Sequence, residues 1–137
     1  MNKDDCIFCK IIRKEIPSMI IFEDDKTLAF LDNNPISEGH SIIIPKNHFG
    51  TLEIIPNDEI ASIFQTAKKI AKLIYEKLDI EGYNILQNNY KAAGQVIDHC
   101  HIHIIPRREG DGKIILDIPK NSTSNKSLNN VLEKFRS

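Results

Sequence analysis

The stretch Gln95-Val-Ile-Asp-His-Cys-His-Ile-His-Ile-Ile-Pro-Arg107 constrains the fold of this chain more than any other. His99, His101 and His103 alternate with Cys100, Ile102 and Ile104. Side chains on a strand point to opposite faces with a period of two, so the pattern predicts a strand with three imidazoles on one face. The apolar row on the other face reads as the core side. A row of imidazoles is poor packing material, which marks the histidine face as functional. Two chemistries suit it. One is metal chelation, since imidazole is the commonest ligand; the other is a histidine nucleophile flanked by histidines that bind the transferred group.

The rest of the chain bears on that choice. With 137 residues it reads as a single domain, able to bury roughly two thirds of its unfolded surface without staples. A formal charge of -1 gives no global field to attract nucleic acid or an anionic membrane, so neither is expected as a partner. No apolar run approaches the ~18 residues of a membrane span, and Met1-Asn-Lys-Asp-Asp5 has no apolar signal core. Cysteines number three, an odd count without a secretion signal, which argues against a disulfide framework and for a reducing, cytoplasmic setting.

In chain order, Cys6-Ile-Phe-Cys9 opens a short amphipathic segment carrying Ile7, Phe8, Ile11 and Ile12, ended before Pro17. Met19–Asp25 and Thr27–Asp32 form a predicted hairpin about an Asp-Asp-Lys turn. His40–Pro45 is a third strand with His40 at its first position, and His48 follows in a loop. Asn57 reads as the N-cap of a long helix with Ile60, Ile63, Phe64, Ala67, Ala71, Ile74 and Leu78 at helical spacing, closed by Gly82. Tyr83–Gln87 is a fourth strand, followed by the polar loop Asn88–Gly94. Near the end, Leu128, Val131, Leu132 and Phe135 make one stripe on a helix capped by Ser124 or Ser127, expected to dock on the domain.

A structural zinc site takes four tetrahedral ligands from Cys and His. Cys6 and Cys9 supply two, and His48 and His99 are the natural remainder, which leaves His101 and His103 free for chemistry. The rival arrangement places a metal on the strand histidines with one position open to water. It leaves the paired cysteines unexplained.

At this point the sequence resembles the histidine triad (HIT) family, in its Hint-like branch and bacterial relatives. His99-Cys-His-Ile-His-Ile-Ile105 matches the family's alternating motif, with Cys100 a milder apolar residue than usual. Ile7–Pro17, Phe30-Leu-Asp32, Gly39–Lys46 and Ala93-Gly-Gln95 match further segments. The resemblance implies an α+β fold, an antiparallel meander with one long helix packed on it, and a homodimer joining the two sheets. Residues 1–116 would form the family domain, and 117–137 a linker and docked helix. The implied activity is cleavage of nucleoside phosphoramidates through a covalent nucleotidyl-histidine, releasing a nucleoside monophosphate. Hydrolysis of dinucleoside polyphosphates and a non-catalytic nucleotide- or zinc-binding module are the alternatives.

Residue by residue, the resemblance makes His101 the nucleophile, with His103 and Asn88 on the phosphate and Gln95 beside it. His40 orients the triad and Asp32 accepts ribose hydroxyls. Ile7, Phe8, Ile11 and Phe30 match a pocket for a purine-type base, with Asn33 where an apolar residue is common. Cys6, Cys9, His48 and His99 match a structural zinc set. Three positions depart from the pattern. Val96 replaces a serine that assists the leaving group, Tyr90 replaces a glycine in the phosphate loop, and Asp98 is unusually polar for its place.

Overall fold

Strands that are buried along their whole length need cover on both faces of their sheet, and this sheet has it. The computed structural model describes residues 3–137. In chain order these form α1 (Ile7–Ile12), β1 (Ile20–Glu23), β2 (Thr27–Leu31), β3 (Ser41–Pro45), α2 (Asn57–Lys77), β4 (Gly82–Leu86), β5 (Ile102–Arg107) and α3 (Asn125–Arg136). The five strands make one antiparallel sheet in the order β1-β2-β3-β5-β4. This is the expected α+β architecture.

Alternation along β2 and β3 splits the core in two. Ala29, Ile43, Ile102 and Ile104 point to α2 and meet Ile63, Ala67, Ile70, Ala71 and Ile74. Leu28, Phe30, Ile42 and Ile44 point the other way and meet Cys6, Phe8, Cys9 and Ile11 around α1. The second layer ties the N-terminal segment to the sheet face that carries the histidines. Ser41–Pro45 is buried at every position because both layers use it.

Element boundaries differ from expectation in instructive ways. Asn57 is the first helical residue, and Pro56 takes the N-cap with no side-chain bond; a proline loses nothing there because that N–H has no helical partner. The helix stops at Leu78, whose backbone N–H donates to the Ile74 carbonyl, and Gly82 opens β4 instead of closing α2. The final helix forms where its stripe and Ser124 cap predict, with the Ser124 hydroxyl accepting from the Ser127 N–H. It buries none of its residues, so the expected docking on the domain is not found. Phe135 is 80% exposed, which leaves the stripe without the contacts that would repay the ordering of linker 117–124.

Candidate functional site

The triad begins three positions before β5. His103 sits in the strand, opposite Ile42 of β3 and Leu86 of β4, whereas His99 and His101 lie on the segment that leads into it. The β3–β5 ladder ends at Ile43 opposite Ile102, and beyond it the Cys100 N–H donates to the Phe49 carbonyl at 2.6 Å. The carbonyl of Pro45, the last residue of β3, accepts from the His99 ring at 2.9 Å. The facing of the side chains holds all the same. Phe8 packs edge-on against His99 and His101, at centroid distances of 5.9 and 5.1 Å, while Cys100, Ile102 and Ile104 join the α2 layer.

The structure sorts the histidines into two groups of different chemistry. In the first, His99 Nδ1 lies 3.4 Å from Cys6 Sγ, 3.6 Å from Cys9 Sγ and 3.2 Å from His48 Nδ1, and Cys9 Sγ lies 3.3 Å from His48 Nδ1. A tetrahedron built on metal–nitrogen bonds of ~2.0–2.1 Å and metal–sulfur bonds of ~2.3 Å has edges of about 3.3–3.8 Å. The four donors fit such an ion. The bond from His99 Nε2–H to Pro45 also fixes the tautomer that leaves Nδ1 with its lone pair, the arrangement ligating histidines require. Burial holds the His99 imidazole down to about 4 and pushes the Cys9 thiol up to about 11. The nitrogen is therefore ready to ligate, and a cation against the Cys9 thiol would favour its ionised form.

The second group is a relay. His101 Nδ1–H donates to the His99 carbonyl at 2.7 Å, so Nε2 is the nitrogen without a proton. His103 Nδ1 lies 2.9 Å from His40 Nε2, and His40 Nδ1 accepts the Ile36 backbone N–H at 3.0 Å. That backbone donor decides every tautomer downstream. His40 must carry its proton on Nε2, give it to His103 Nδ1, and thereby place the His103 proton on the outer Nε2. Asp32 stands behind, its Oδ2 3.5 Å from His40 Nε2 and its Oδ1 accepting the Asn34 N–H at 2.8 Å.

Asp32, His40 and His103 are also close enough together to suggest a metal site. The Ile36 N–H argues otherwise, because the His40 atom that would ligate is the one holding the proton. Burial lowers the imidazoles of His40, His101 and His103, with His103 at about 4. All three are neutral near pH 7. The turn that delivers His40 passes so near the end of α2 that a Cβ on Gly39 would lie 2.4 Å from Leu78 Cδ1, and Gly39 adopts φ +89°. Only glycine fits there.

Both His101 and His103 open into a cleft of about 410 Å³. Its walls include Ile7, Phe8, Ile11, Phe30, Asp32, Asn33 and Asn88, each of them a residue singled out above. Gln95 is placed differently from these wall residues. It does not line the cleft; its amide donates to the carbonyls of Gly50 and Ile97 and accepts the Tyr90 N–H. Those bonds hold the loop 88–97. Val96, 89% exposed, stands at the rim. Sequence reasoning missed Ile16, Ile42, Leu86 and Ile97, which also line the cleft, because apolar residues of a wall and of a core look alike. It also missed Ile36, whose contribution is a backbone N–H.

Residues 13–110 match the HIT domain, and the chain belongs to the HIT family. It is 42% identical over 131 residues to an uncharacterised HIT-like protein of Methanocaldococcus jannaschii, covering 96% of this chain and 98% of that one. To an adenosine 5'-monophosphoramidase of Candida albicans it is 43% identical over 137 residues, covering 96% and 89%. The fold superposes with a TM-score of 0.78 and 33% identity on a zinc-bound histidine triad family protein of Mycobacterium smegmatis, over 98% of each chain.

Proposed function

We propose that this protein hydrolyses nucleoside phosphoramidates, cleaving the P–N bond through a nucleotidyl-histidine formed on His101. The observation that carries the reading is the 2.7 Å bond from His101 Nδ1 to the His99 carbonyl. It aims a neutral imidazole with its lone pair on Nε2, which is what a nucleophile at phosphorus requires. The Nε2–P bond forms as the P–N bond breaks, and the leaving amine takes a proton from water. Water then attacks phosphorus, releasing the nucleoside monophosphate and a proton and restoring the neutral ring. His103 Nε2–H and the Asn88 amide stabilise the charge that grows on the phosphoryl oxygens. Asp32 accepts ribose hydroxyls, and Ile7, Phe8, Ile11 and Phe30 hold a purine-type base with Asn33 at its edge.

Cys6, Cys9, His48 and His99 hold a structural zinc ion, which clamps the N-terminal segment to the histidine strand; the donor set and spacing support this. The working unit is a homodimer. β4 is an edge strand, and Phe64, Tyr75, Tyr83 and Ile85 are exposed around a groove of about 520 Å³ between it and α2; a twofold copy would cover both. Residues 1–116 are the catalytic domain and 117–137 an appended arm. Cys6, Cys9 and Cys100 are free and buried, which suits a reducing cytoplasm, and no described helix is long and apolar enough to cross a membrane.

Adenosine phosphoramidate and a dinucleoside polyphosphate, offered in parallel, test the reading. Release of AMP from the first, with a nucleotidyl adduct on intact mass spectrometry after acid-free quenching, is expected. Faster turnover of the polyphosphate replaces the substrate class. Affinity for AMP with neither turnover nor adduct makes the protein a binding module.

A further inference from the structure

Loop 88–97 supplies Asn88, Gly94, Val96 and Ile97 to the cleft, yet it lies at the surface and contains one short turn, Lys91–Ala93. Something outside it must hold its shape. The structure ties it at three points to the segment that follows His48. The Leu52 N–H donates to Asn89 Oδ1 at 2.8 Å. Gln95 Nε2 donates to the Gly50 carbonyl at 2.7 Å. The Tyr90 hydroxyl donates to Glu53 Oε1, an oxygen that also accepts the Thr51 hydroxyl at 2.9 Å.

Tyr90 stands out among these residues because its backbone adopts φ +72° and ψ +157°. Residues with a Cβ avoid this region, which glycine enters freely. Such a conformation persists only where the surroundings over-determine it, and here they do. The Tyr90 N–H gives to Gln95 Oε1 at 2.7 Å, the Tyr90 carbonyl accepts from Ala93 and Gln95 at 3.1 Å each, and the ring is anchored at its far end by Glu53. The ring itself is 60% exposed, so packing does little of this. Hydrogen bonds hold it.

We infer that the Tyr90–Glu53 clasp is a positioning device for the phosphate-binding loop, holding a tyrosine in a glycine-like conformation so that Asn88 faces the reacting phosphorus. Neither residue touches substrate. Their effect passes through Asn88, two residues before Tyr90, and through Gln95, whose carboxamide bridges Tyr90 to Gly50. The inference rests on the phosphoramidase reading for its kinetic test and stands apart from it in its structural one.

The clasp makes an unusual ordering of variants. Tyr90→Phe keeps the strained backbone and removes the anchor; Tyr90→Gly removes both the anchor and the need for it. With adenosine phosphoramidate, Tyr90→Phe should lower kcat about tenfold, the scale of a small misplacement of one catalytic donor, and leave KM within about twofold because base and ribose contacts lie elsewhere. Tyr90→Gly should recover most of that kcat, and Glu53→Ala should match Tyr90→Phe with no further loss in the double variant. Amide exchange at Ala93, Gly94 and Gln95 should quicken in Tyr90→Phe and Glu53→Ala and stay near the wild-type rate in Tyr90→Gly. Equal behaviour of Tyr90→Phe and wild type, or an equal loss in Phe and Gly variants, overturns the inference. If the wild-type protein turns over no phosphoramidate, the functional reading fails, and the exchange rates still decide the clasp.

Discussion

His40 Nε2 and His103 Nδ1 are 2.9 Å apart, and the proton between them belongs to His40 because its other nitrogen is occupied by the Ile36 N–H. One backbone amide thus sets, through His40, which way a histidine of the adjacent strand presents its donor. Replacing His40 with alanine frees His103 to take either tautomer and removes the bond that orients it. The expected cost is about a hundredfold in kcat, comparable to the loss of one preorganised donor. Zinc content should stay at wild-type level, measured by metal analysis of the purified variant.

His101→Ala separates chemistry from scaffold. It removes the nitrogen proposed to attack phosphorus and leaves the Cys/His group whole. Turnover should fall by at least about three orders of magnitude, and no nucleotidyl adduct should appear by mass spectrometry. An adduct that persists in this variant would move the nucleophile to another residue.

Removal of the proposed zinc ion should cost stability first and activity second. Cys6→Ala, or treatment with a strong chelator, releases α1 and exposes the layer of Phe8, Ile11, Phe30 and Ile42. A loss of at least about 10 °C in Tm is expected, since about 1 kcal/mol moves a chain of this size by a few degrees. Calorimetry with and without added zinc measures it.

The imidazoles give the pH dependence a definite sign. His103 is held down to about 4, against 6.5 for a free imidazole. Between those values the unfolded chain binds the proton more readily than the folded one. Stability is therefore complete above pH 6.5, declines as the pH falls toward 4, and loses at most about 3 kcal/mol from this group. His101 is also lowered by burial, so the acid limb of kcat/KM should lie below pH 6.5. A limb at or above that value would contradict the geometry.

Ile85→Glu places a charge in the middle of the exposed face of β4. In the proposed dimer this face is covered by a second copy, where a carboxylate cannot be desolvated cheaply. The wild-type protein should sediment as a dimer and the variant as a monomer at the same concentration.

Much of the site was legible from side-chain pattern alone. The alternation at 99–105 placed the imidazoles on one face and the apolar row on the other, and the Cys-x-x-Cys spacing announced half of a metal set. What stayed hidden was carried by the backbone. The Pro45 and His99 carbonyls and the Ile36 N–H choose the tautomers of His99, His101 and His40, and peptide groups look the same under every residue type. Gln95 was legible only in part: a carboxamide near the histidine strand suggests a ligand contact, and only the loop geometry shows that both its ends bond to backbone groups. The terminal helix misled because a stripe shows that a helix wants a partner without saying that its own domain provides one.

His99 has two loyalties. Its ring turns toward the cysteines and its carbonyl toward His101, so Cys6 and Cys9 reach the His101 imidazole through a single amino acid. A change to the segment that carries the two cysteines would then act on that imidazole, although Cys6 and His99 lie more than ninety positions apart.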